Sequence, residues 1–397
     1  MQKRIIFFAV ILLIISGYHL SAQMTVSGLL DSSVSLRAGA GDAPAFSYGV
    51  EEYANLRIQA QLRDIAAFHA AFNFIAAAGD YAAVVRAMGF SPIGDNFIAG
   101  IELERLYFRL NGETVGFDGG LLRLPFGYGQ VWGPSDFLNP KNPLKPDARP
   151  RAVLGAGLSW YPVDSLKLLA FGAAPRNPFS PNGEGGLAGL SMDWHWDRAS
   201  LQTLYSYESP QANSKYGMHR AGLSVKADVE IGLVMDALYT YNHEAKTEFD
   251  GLSFSAGFDY SFFDGDLIVL VEYLYNGETS STAFNLEKNM FGLNNNHYLY
   301  TGLTWRFNDY TNMSAALISG FDDVSFTPLV TLNHDLFQGA TLTVSVQVPL
   351  DRDLFSGDGN RGELGPLPPD KLQPLLAEIG KRIGRYFDFS AKLRLRF

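Results

Sequence analysis

Apolar and polar residues alternate along much of this chain, which places every second side chain on one face of an extended strand. From Leu252 to Phe262 the even-numbered residues are apolar and the odd-numbered ones are small or polar. The same period of two is found at 187–196, 230–242, 340–349 and 385–397. After residue 22 no apolar run approaches the ~18 residues of a membrane helix. The pattern therefore predicts an all-β fold of long, regular strands.

Eighteen strands are predicted after residue 22, each bounded by turn residues. They are 24–37, 48–62, 66–78, 97–111, 114–123, 152–161, 166–174, 187–196, 199–208, 218–227, 230–242, 251–262, 267–276, 297–307, 311–319, 326–334, 340–349 and 385–397. Sixteen is the alternative count, in which 311–319 and 326–334 are not strands. The apolar positions change parity within 97–111, which predicts a β-bulge near Glu104.

The connections between these strands alternate in length. Every second one is a tight turn of at most five residues, rich in the Asn, Asp and Gly that hairpins prefer. The others are longer, up to about thirty-five residues at 350–384. Short turns at one end and long loops at the other, around an even number of strands, indicate a transmembrane antiparallel up-and-down β-barrel. A soluble β-sandwich or β-propeller is the alternative, but neither requires connections of alternating length.

Aromatic residues on the apolar face mark both ends of the predicted strands. Those just before short turns are Trp160, Trp194, Trp196, Tyr260, Phe262, Trp305 and Phe307. Those just before long loops are Tyr205, Tyr207, Tyr239, Tyr241, Tyr273 and Tyr275. Two such girdles are expected where a barrel meets the two headgroup layers of a membrane.

The first 22 residues differ from the rest. Lys3 and Arg4 precede an apolar run from Ile5 to Ile15, and a polar patch then leads to Ala22, which is typical of a secretory signal peptide. A membrane anchor is the weaker alternative, because this run crosses only about half of a ~30 Å hydrocarbon core. We predict a signal peptide at 1–22, a barrel domain at 23–397, and export to the outer membrane.

Composition and charge exclude several function classes. Charged residues are 18% of the chain, below the ~25% of soluble domains. The net charge of −10 comes without a basic patch, so nucleic acid is not an expected partner. Because cysteine is absent, disulfides, thiolate metal sites and thiol nucleophiles are excluded. No metal-binding or phosphate-binding motif occurs, so neither a cofactor nor an enzyme is predicted.

The chain resembles the bacterial outer-membrane porins. The resemblance rests on the export signal, the alternating strands through 24–397 and an amphipathic last strand that ends in Phe397. The segment 127–140 also looks like a "WG, then D, then NP" stretch found in several porin-like families. In porins the terminal strand is read by the barrel-assembly machinery, which implies that role for Phe397, Leu395, Leu393 and Phe389. The resemblance implies passive diffusion of small hydrophilic solutes through a protein surrounded by outer-membrane lipids, and it leaves a homo-oligomer open.

A barrel of eighteen strands is wide enough for a water-filled lumen. Parity places on its inner wall Arg57, Gln59, Asp193, His195, Arg220 and Glu272. Asp193 and His195 resemble the Asp-x-His pair of outer-membrane aspartyl-type proteases, but a pair of wall residues is the expected role.

The connection 124–151 is the third on the long-loop side. In general porins the third such loop narrows the pore, so the resemblance implies a constriction here; an ordinary surface loop is the alternative. The candidate constriction residues on the loop and the facing wall are Glu102, Glu104, Arg109, Asp136, Lys141, Lys145, Arg149 and Arg151. A basic loop opposite acidic wall residues would filter solutes by charge.

Apolar residues at helical spacing predict an amphipathic helix at 369–384, which would pack on the loops, occlude the mouth in part or lie on the membrane. Two further functions remain open, a surface adhesin or structural barrel and a substrate-specific transporter that is occluded by its loops.

Overall fold

The computed structural model describes residues 23–39, 46–79, 92–94, 97–140, 150, 152–174, 186–210, 216–242, 251–277, 296–321, 324–348, 350 and 386–397. Strands β1 to β19 are Gln23–Gly39, Phe46–Leu62, Ala66–Gly79, Pro92–Gly94, Phe97–Asn111, Val115–Leu122, Val153–Val163, Leu166–Ala174, Leu187–His195, Ala199–Glu208, Met218–Asp228, Gly232–Asn242, Leu252–Phe262, Leu267–Asn276, His297–Asn308, Thr311–Gly320, Ser325–Phe337, Ala340–Gln347 and Tyr386–Arg396. A 3-10 turn at Phe263–Gly265 joins β13 to β14. Nowhere in these ranges is a helix long and apolar enough to cross a membrane.

The strands form one closed antiparallel barrel of eighteen strands. Neighbouring strands pair in chain order, and β1 pairs with both β2 and β19, which closes the sheet. The three-residue β4, which was not predicted, pairs only with β5, while β3 and β5 pair directly. The predicted fold and the count of eighteen are confirmed. The alternative of sixteen is wrong, because β16 and β17 pair with each other and with both neighbours.

The predicted β-bulge is confirmed at Glu104. Ala71 of β3 lies opposite Arg105 of β5, whereas the next residue, Phe72, lies opposite Leu103. Glu104 is therefore the extra residue, and its side chain is buried. The bulge lets apolar side chains face outward both before and after it, although their parity changes.

Large apolar side chains cover the outside of the barrel. The outward aromatic residues near the short turns include Trp160, Trp194, Trp305 and Phe307, all exposed, and those near the long loops include the exposed Tyr205 and Tyr241. This surface suits hydrocarbon flanked by two headgroup layers. The residues predicted for the signal peptide (1–22) and for the amphipathic helix (369–384) lie outside the described residues.

The C-terminal residue packs on the first strand at the closure of the barrel. The backbone N–H of Gly28 donates to the carbonyl of Phe397 at 2.8 Å, and the N–H of Phe397 donates back at 3.1 Å. A Cβ atom on Gly28 would lie 2.6 Å from Cζ of the Phe397 ring. The absence of a side chain at residue 28 therefore makes room for the terminal ring.

Gly28→Val is expected to displace the Phe397 ring and to slow assembly of the barrel, since the terminal strand would lose its packing against β1. Membrane insertion of the mature chain, followed by the heat-modifiable mobility of folded barrels on gels, measures this effect. Gly186→Val, just before β9, is the matched control, because a Cβ atom at residue 186 meets nothing within 4 Å. Equal folding yields for both variants would contradict the proposed role of Gly28.

Candidate functional site: the lumen and its inward loop

The chain that follows β6 turns into the lumen. Leu124, Phe126 and Leu138 are buried, and they pack on inward side chains of several strands, among them Phe171 of β8 and Leu204 of β10. A second apolar contact forms around Trp132, eight residues after Leu124. Leu274 of β14, Tyr298 of β15 and Ile318 of β16 surround its indole ring. The segment 123–140, here called the inward loop, thus covers the inner wall from β8 to β16.

The inward loop is ordered by its own side chains. Leu124 N–H donates to Asn139 Oδ1 at 2.8 Å, and Phe126 N–H donates to Asp136 Oδ1 at 3.3 Å. Asp136 and Asn139 are both nearly inaccessible to solvent. The predicted constriction residue Asp136 therefore organises the loop, and its charge does not line the pore. Burial also raises the pKa of the Tyr128 phenol to about 12, so this loop side chain is neutral at ordinary pH.

Glu272 on β14 holds the tip of the loop. Its carboxylate accepts three consecutive backbone N–H groups, those of Gln130 at 3.1 Å, Val131 at 3.0 Å and Trp132 at 2.9 Å. The Trp132 indole N–H adds a bond to the Glu272 carbonyl at 3.3 Å. The Glu272 side chain is fully buried. Convergent N–H groups form a nest that favours a negative charge, so this carboxylate acts as an anchor.

Two further wall residues hold the loop on either side of its tip. Asp236 of β12, also fully buried, accepts Ser135 N–H at 3.3 Å and the Ser224 hydroxyl at 2.6 Å. Gln202 of β10 accepts Gly127 N–H at 2.5 Å. Gly127 has φ +78°, and a Cβ atom there would lie 2.3 Å from Asp236 Oδ2. The anchors therefore lie on β10, β12 and β14, beneath residues 127, 135 and 130–132 of the loop.

A buried ion pair supports the end of the loop. Arg220 of β11 contacts Glu208 of β10 at 2.7 Å, and both side chains are more than nine-tenths buried. The Arg220 guanidinium lies over the ring of Phe137, 4.6 Å from its centroid. The predicted wall residue Arg220 is thus on the inner wall, but it lies beneath the loop.

The inner wall of β2, β3 and β5 carries a network of charged and amide groups. Glu104 accepts Asn55 Nδ2 at 2.7 Å and forms ion pairs with Arg105 at 3.3 Å and Arg123 at 3.0 Å. Glu102 accepts the Asn73 side chain at 2.9 Å. Two guanidinium groups thus share the buried Glu104. The described start of the loop reaches this wall only through Arg123.

Arg57 and Arg109 provide further positive charge on this wall. Arg57 Nε donates to Asn55 Oδ1 at 2.7 Å, and in the described part of the chain it has no carboxylate partner. Arg109 forms a bidentate ion pair with Asp118, whose shorter contact is 2.7 Å. The net positive charge of this group of wall residues therefore depends on Arg57.

The wall on β16 to β18 is rich in neutral hydrogen-bonding groups, and Asp335 near the short-turn end is its one charged side chain in the described strands. Asn333 donates to Asn312 at 3.0 Å and accepts the Thr343 hydroxyl at 2.7 Å, while Thr331 and Ser345 lie 3.1 Å apart. All five side chains are partly exposed. This wall therefore offers hydroxyl and amide groups to the part of the lumen that the described loop leaves open.

The remaining predicted residues lie as follows. Asp193 is buried on the inner wall and hydrogen-bonded to Gln202. His195 lies near the short-turn end and contacts the Ser200 hydroxyl at 2.9 Å. Asp193 and His195 therefore have separate partners. Gln59 is exposed on β2. Lys141, Lys145, Arg149 and Arg151 lie outside the described residues. Where side chains are described, no three His, Asp or Glu residues gather as metal ligands.

Several anchoring residues were not singled out from the sequence. Gln202 has the inward parity of its strand. Trp132, Ser135 and Asn139 belong to the connection 124–151, which was singled out as the candidate constriction. The inward parity of Asp236 predicts its place on the inner wall, and the structure confirms it. No sequence pattern indicates that these residues form pairs, because the members of a pair lie 101 to 142 residues apart in the chain.

Comparison with known proteins shows the fold. No family model matches the chain, and no curated protein matches its sequence. Among solved structures, OccK2 (OpdF) of Pseudomonas aeruginosa in complex with glucuronate has a TM-score of 0.57 at 10% identity, with 94% of this chain and 98% of that one covered. OccAB4 of Acinetobacter baumannii gives 0.56 at 11% identity, covering 96% and 100%. The outer membrane protein opdK of P. aeruginosa gives 0.56 at 8% identity, covering 94% and 98%. The porin-like fold predicted from the sequence is confirmed.

Proposed function

We propose that this protein is an outer-membrane porin, exported by its signal peptide, through which small hydrophilic solutes diffuse passively. The observation that carries the proposal is the one-sided position of the inward loop. It is held against β8 to β16 by Gln202, Asp236 and Glu272. On β17 and β18, Thr331, Asn333, Thr343 and Ser345 form hydrogen bonds with other wall residues and not with the described residues of the loop. Such a loop narrows a water-filled lumen without filling it.

The polar walls support diffusion of hydrated solutes. Hydroxyl and amide groups on one side can replace part of a solute's hydration shell, and guanidinium groups on another attract negative groups. Selectivity for charge would be modest, since Arg105, Arg109 and Arg123 all have carboxylate partners. The loop cations Lys141, Lys145 and Arg149 remain part of the proposed filter.

Single-channel recording of the refolded mature chain in a planar bilayer under a salt gradient tests the proposal. We expect stable conductance steps and a reversal potential that indicates weak anion preference. A protein that is folded by circular dichroism yet never conducts would contradict a porin. Such a result would favour the adhesin or structural barrel, which does not need to conduct.

A substrate-specific channel is the second candidate, favoured by the likeness to OccK2, which was solved with glucuronate. Liposome swelling with glucose and with glucuronate separates the two functions. Entry rates that follow solute size alone support passive diffusion. Saturable entry of one solute at low concentration would support specific uptake instead.

Arg57→Gln is expected to shift the reversal potential toward cation preference, because it removes a positive charge that no described carboxylate balances. The reversal potential in a salt gradient measures the change. The double variant Arg109→Gln/Asp118→Asn is the matched control, since it removes a cation and an anion that already pair. An equal shift in both proteins, or none in Arg57→Gln, would exclude Arg57 from the filter.

A further inference from the structure

Hydroxyl side chains form a continuous row across the inner wall that the described loop leaves open. Each is the direct cross-strand neighbour of the next, on β15 to β19 and then on β1. The row consists of Thr304, Ser314, Thr331, Ser345, Ser390 and Ser35. Ser35 is buried, and the other residues of the row are partly exposed. The partly exposed residues, from Thr304 on β15 to Ser390 on β19, are here called the hydroxyl track.

The row runs from one end of the barrel toward the other. Thr304 lies near Asn308, where β15 ends at a short turn. Ser35 lies near Gly39, where β1 ends at a long loop. Strands of such barrels are tilted by ~35–45° and lie ~4.8 Å apart, so a row of cross-strand neighbours climbs by ~3 Å from one strand to the next. The track therefore leads along the lumen and does not encircle it at one depth.

The wall around the track offers hydrogen bonds more than charge. Its inward neighbours on β16, β17 and β18 are all uncharged, namely Asn312, Ala316, Leu329, Asn333, Thr343 and Gln347. Beside the end on β15, Arg306 pairs with Asp266 at 2.7 Å. Beside the end on β19, Asp388 pairs with Arg37 at 2.9 Å, and Lys392 is the other charged neighbour. A solute on the track is therefore recognised mainly by its hydrogen-bonding groups.

The hydroxyls of the track bond to one another in pairs. Thr304 Oγ1 and Ser314 Oγ lie 3.2 Å apart, and Thr331 Oγ1 and Ser345 Oγ lie 3.1 Å apart. In each pair either oxygen can be the donor, because a hydroxyl both donates and accepts and its hydrogen rotates. A hydroxyl of a solute has the same two capacities. It can replace one partner of a pair, or bond to both, in either direction.

We propose that the hydroxyl track binds polyhydroxylated solutes, that is sugars and polyols, and passes them along the open wall of the lumen. The inference rests on the proposed function and names the solutes that the channel admits best. Such a solute exchanges its hydrogen bonds to water for equivalent bonds to successive wall hydroxyls. Each of these bonds is weak in net terms, so the solute also leaves readily. Weak sites in series favour conduction over retention.

Isosteric substitution tests the track without changing the width of the pore. Thr304→Val/Thr331→Val removes one hydroxyl from each bonded pair. Thr203→Val/Thr301→Val, on the outward faces of β10 and β15, is the matched control. Liposome swelling is measured with glucose and with glycine betaine, a reference solute that has neither a hydroxyl nor an N–H group.

The ratio of the glucose rate to the betaine rate is expected to fall about threefold in the track variant, since one net hydrogen bond corresponds to a factor of about two to ten. The control variant should keep the ratio of the unmodified chain. Ser314→Ala/Ser345→Ala, which removes the opposite partner of each pair, should lower the ratio as well. Glucose and glucuronate both carry hydroxyls, so the comparison between those two solutes does not test the track.

The fate of the track is separable from that of the channel. All variants should conduct potassium chloride as the unmodified chain does, because no charge is removed, and heat-modifiable mobility confirms that each is folded. Conducting channels whose ratio is the same in the track variants and in the control would overturn the track and leave the porin in place. An unmodified chain that never conducts would contradict the proposed function, and the track with it.

Discussion

Glu272→Leu is expected to release the inward loop from the barrel wall and to increase single-channel conductance. The substitution removes the acceptor of three consecutive backbone N–H groups at 2.9–3.1 Å. Hydrogen bonds to charged groups contribute about 1.5–3 kcal/mol each, and each buried donor left without a partner costs about 1–3 kcal/mol. Three such bonds set an upper limit of about 9 kcal/mol, and we expect a loss of at least about 3 kcal/mol in the stability of the loop's docked position, because the released N–H groups regain water. A loop released to this extent would sample the open part of the lumen.

Planar-bilayer recording measures both consequences, a larger mean conductance and greater current noise from the moving loop. Glu272→Gln should give an intermediate conductance. Its amide keeps one acceptor oxygen, but its NH₂ group faces the backbone N–H groups of the loop, which are donors as well. Glu102→Gln is the matched control, since Glu102 contacts Asn73 and not the loop. A quiet channel of unchanged conductance in Glu272→Leu would show that the apolar contacts of Trp132 hold the loop without the carboxylate.

Glu104→Gln is expected to destabilise the barrel and to increase its preference for anions. The side chain is buried at the bulge, where Arg105 and Arg123 form ion pairs with it and Asn55 donates to it. Removing one partner of a buried ionic cluster typically costs about 3–5 kcal/mol. The loss here should lie at or below the lower end of this range, because Arg105 and Arg123 remain partly exposed to the lumen. The lumen also gains one positive charge, which raises the anion current relative to the cation current.

A comparison with Glu102→Gln separates these two effects. Both variants remove one negative charge from the same wall, so both should shift the reversal potential in the same direction. Only Glu104→Gln should lower the unfolding temperature strongly, because in the described structure Glu102 contacts an amide and no guanidinium. Equal thermal stability of the two variants would contradict the role of Glu104 as the shared partner of Arg105 and Arg123.

Both predictions concern carboxylates on the inner wall, but their roles differ. Glu272 is covered by the loop and fixes how far the loop extends. Glu104 lies on the wall across from the loop anchors and fixes the arginines that border the pore. The predicted constriction therefore has two parts, the loop position and the charge of the facing wall. Glu272→Leu changes the first part, and Glu104→Gln changes the second together with the ion pair of Arg123 at the start of the loop.

The barrel itself was predictable from the sequence, because its determinants are local. Alternation with period two assigns each side chain to the lumen or the lipid, and turn residues such as Asn111 and Gly112 end the strands. Even the bulge at Glu104 is visible as a change of parity between Leu103 and Leu106. Strands at 311–319 and 326–334 were the least distinct, yet closure of the sheet requires them.

The site was predictable only in outline. The place of the loop in the order of connections, together with the porin resemblance, indicated 124–151 as the constriction. The sequence could not show that Asp136 is buried within the loop, or that Glu272 is covered by it, because both depend on partners distant in the chain. Parity places a side chain inside the barrel but cannot distinguish an open wall from one beneath a loop.

The sequence by itself determined the two faces of the wall and the alternation of short and long connections, because each is a property of adjacent residues, and it indicated eighteen strands with sixteen as the alternative. Only the tertiary structure decided which inner residues anchor the loop and which line the open lumen. It also decided that the hydroxyls of the track lie side by side on neighbouring strands. The physical reason is that these contacts depend on the register between strands and on the closure of the barrel, which bring together residues that no local pattern relates.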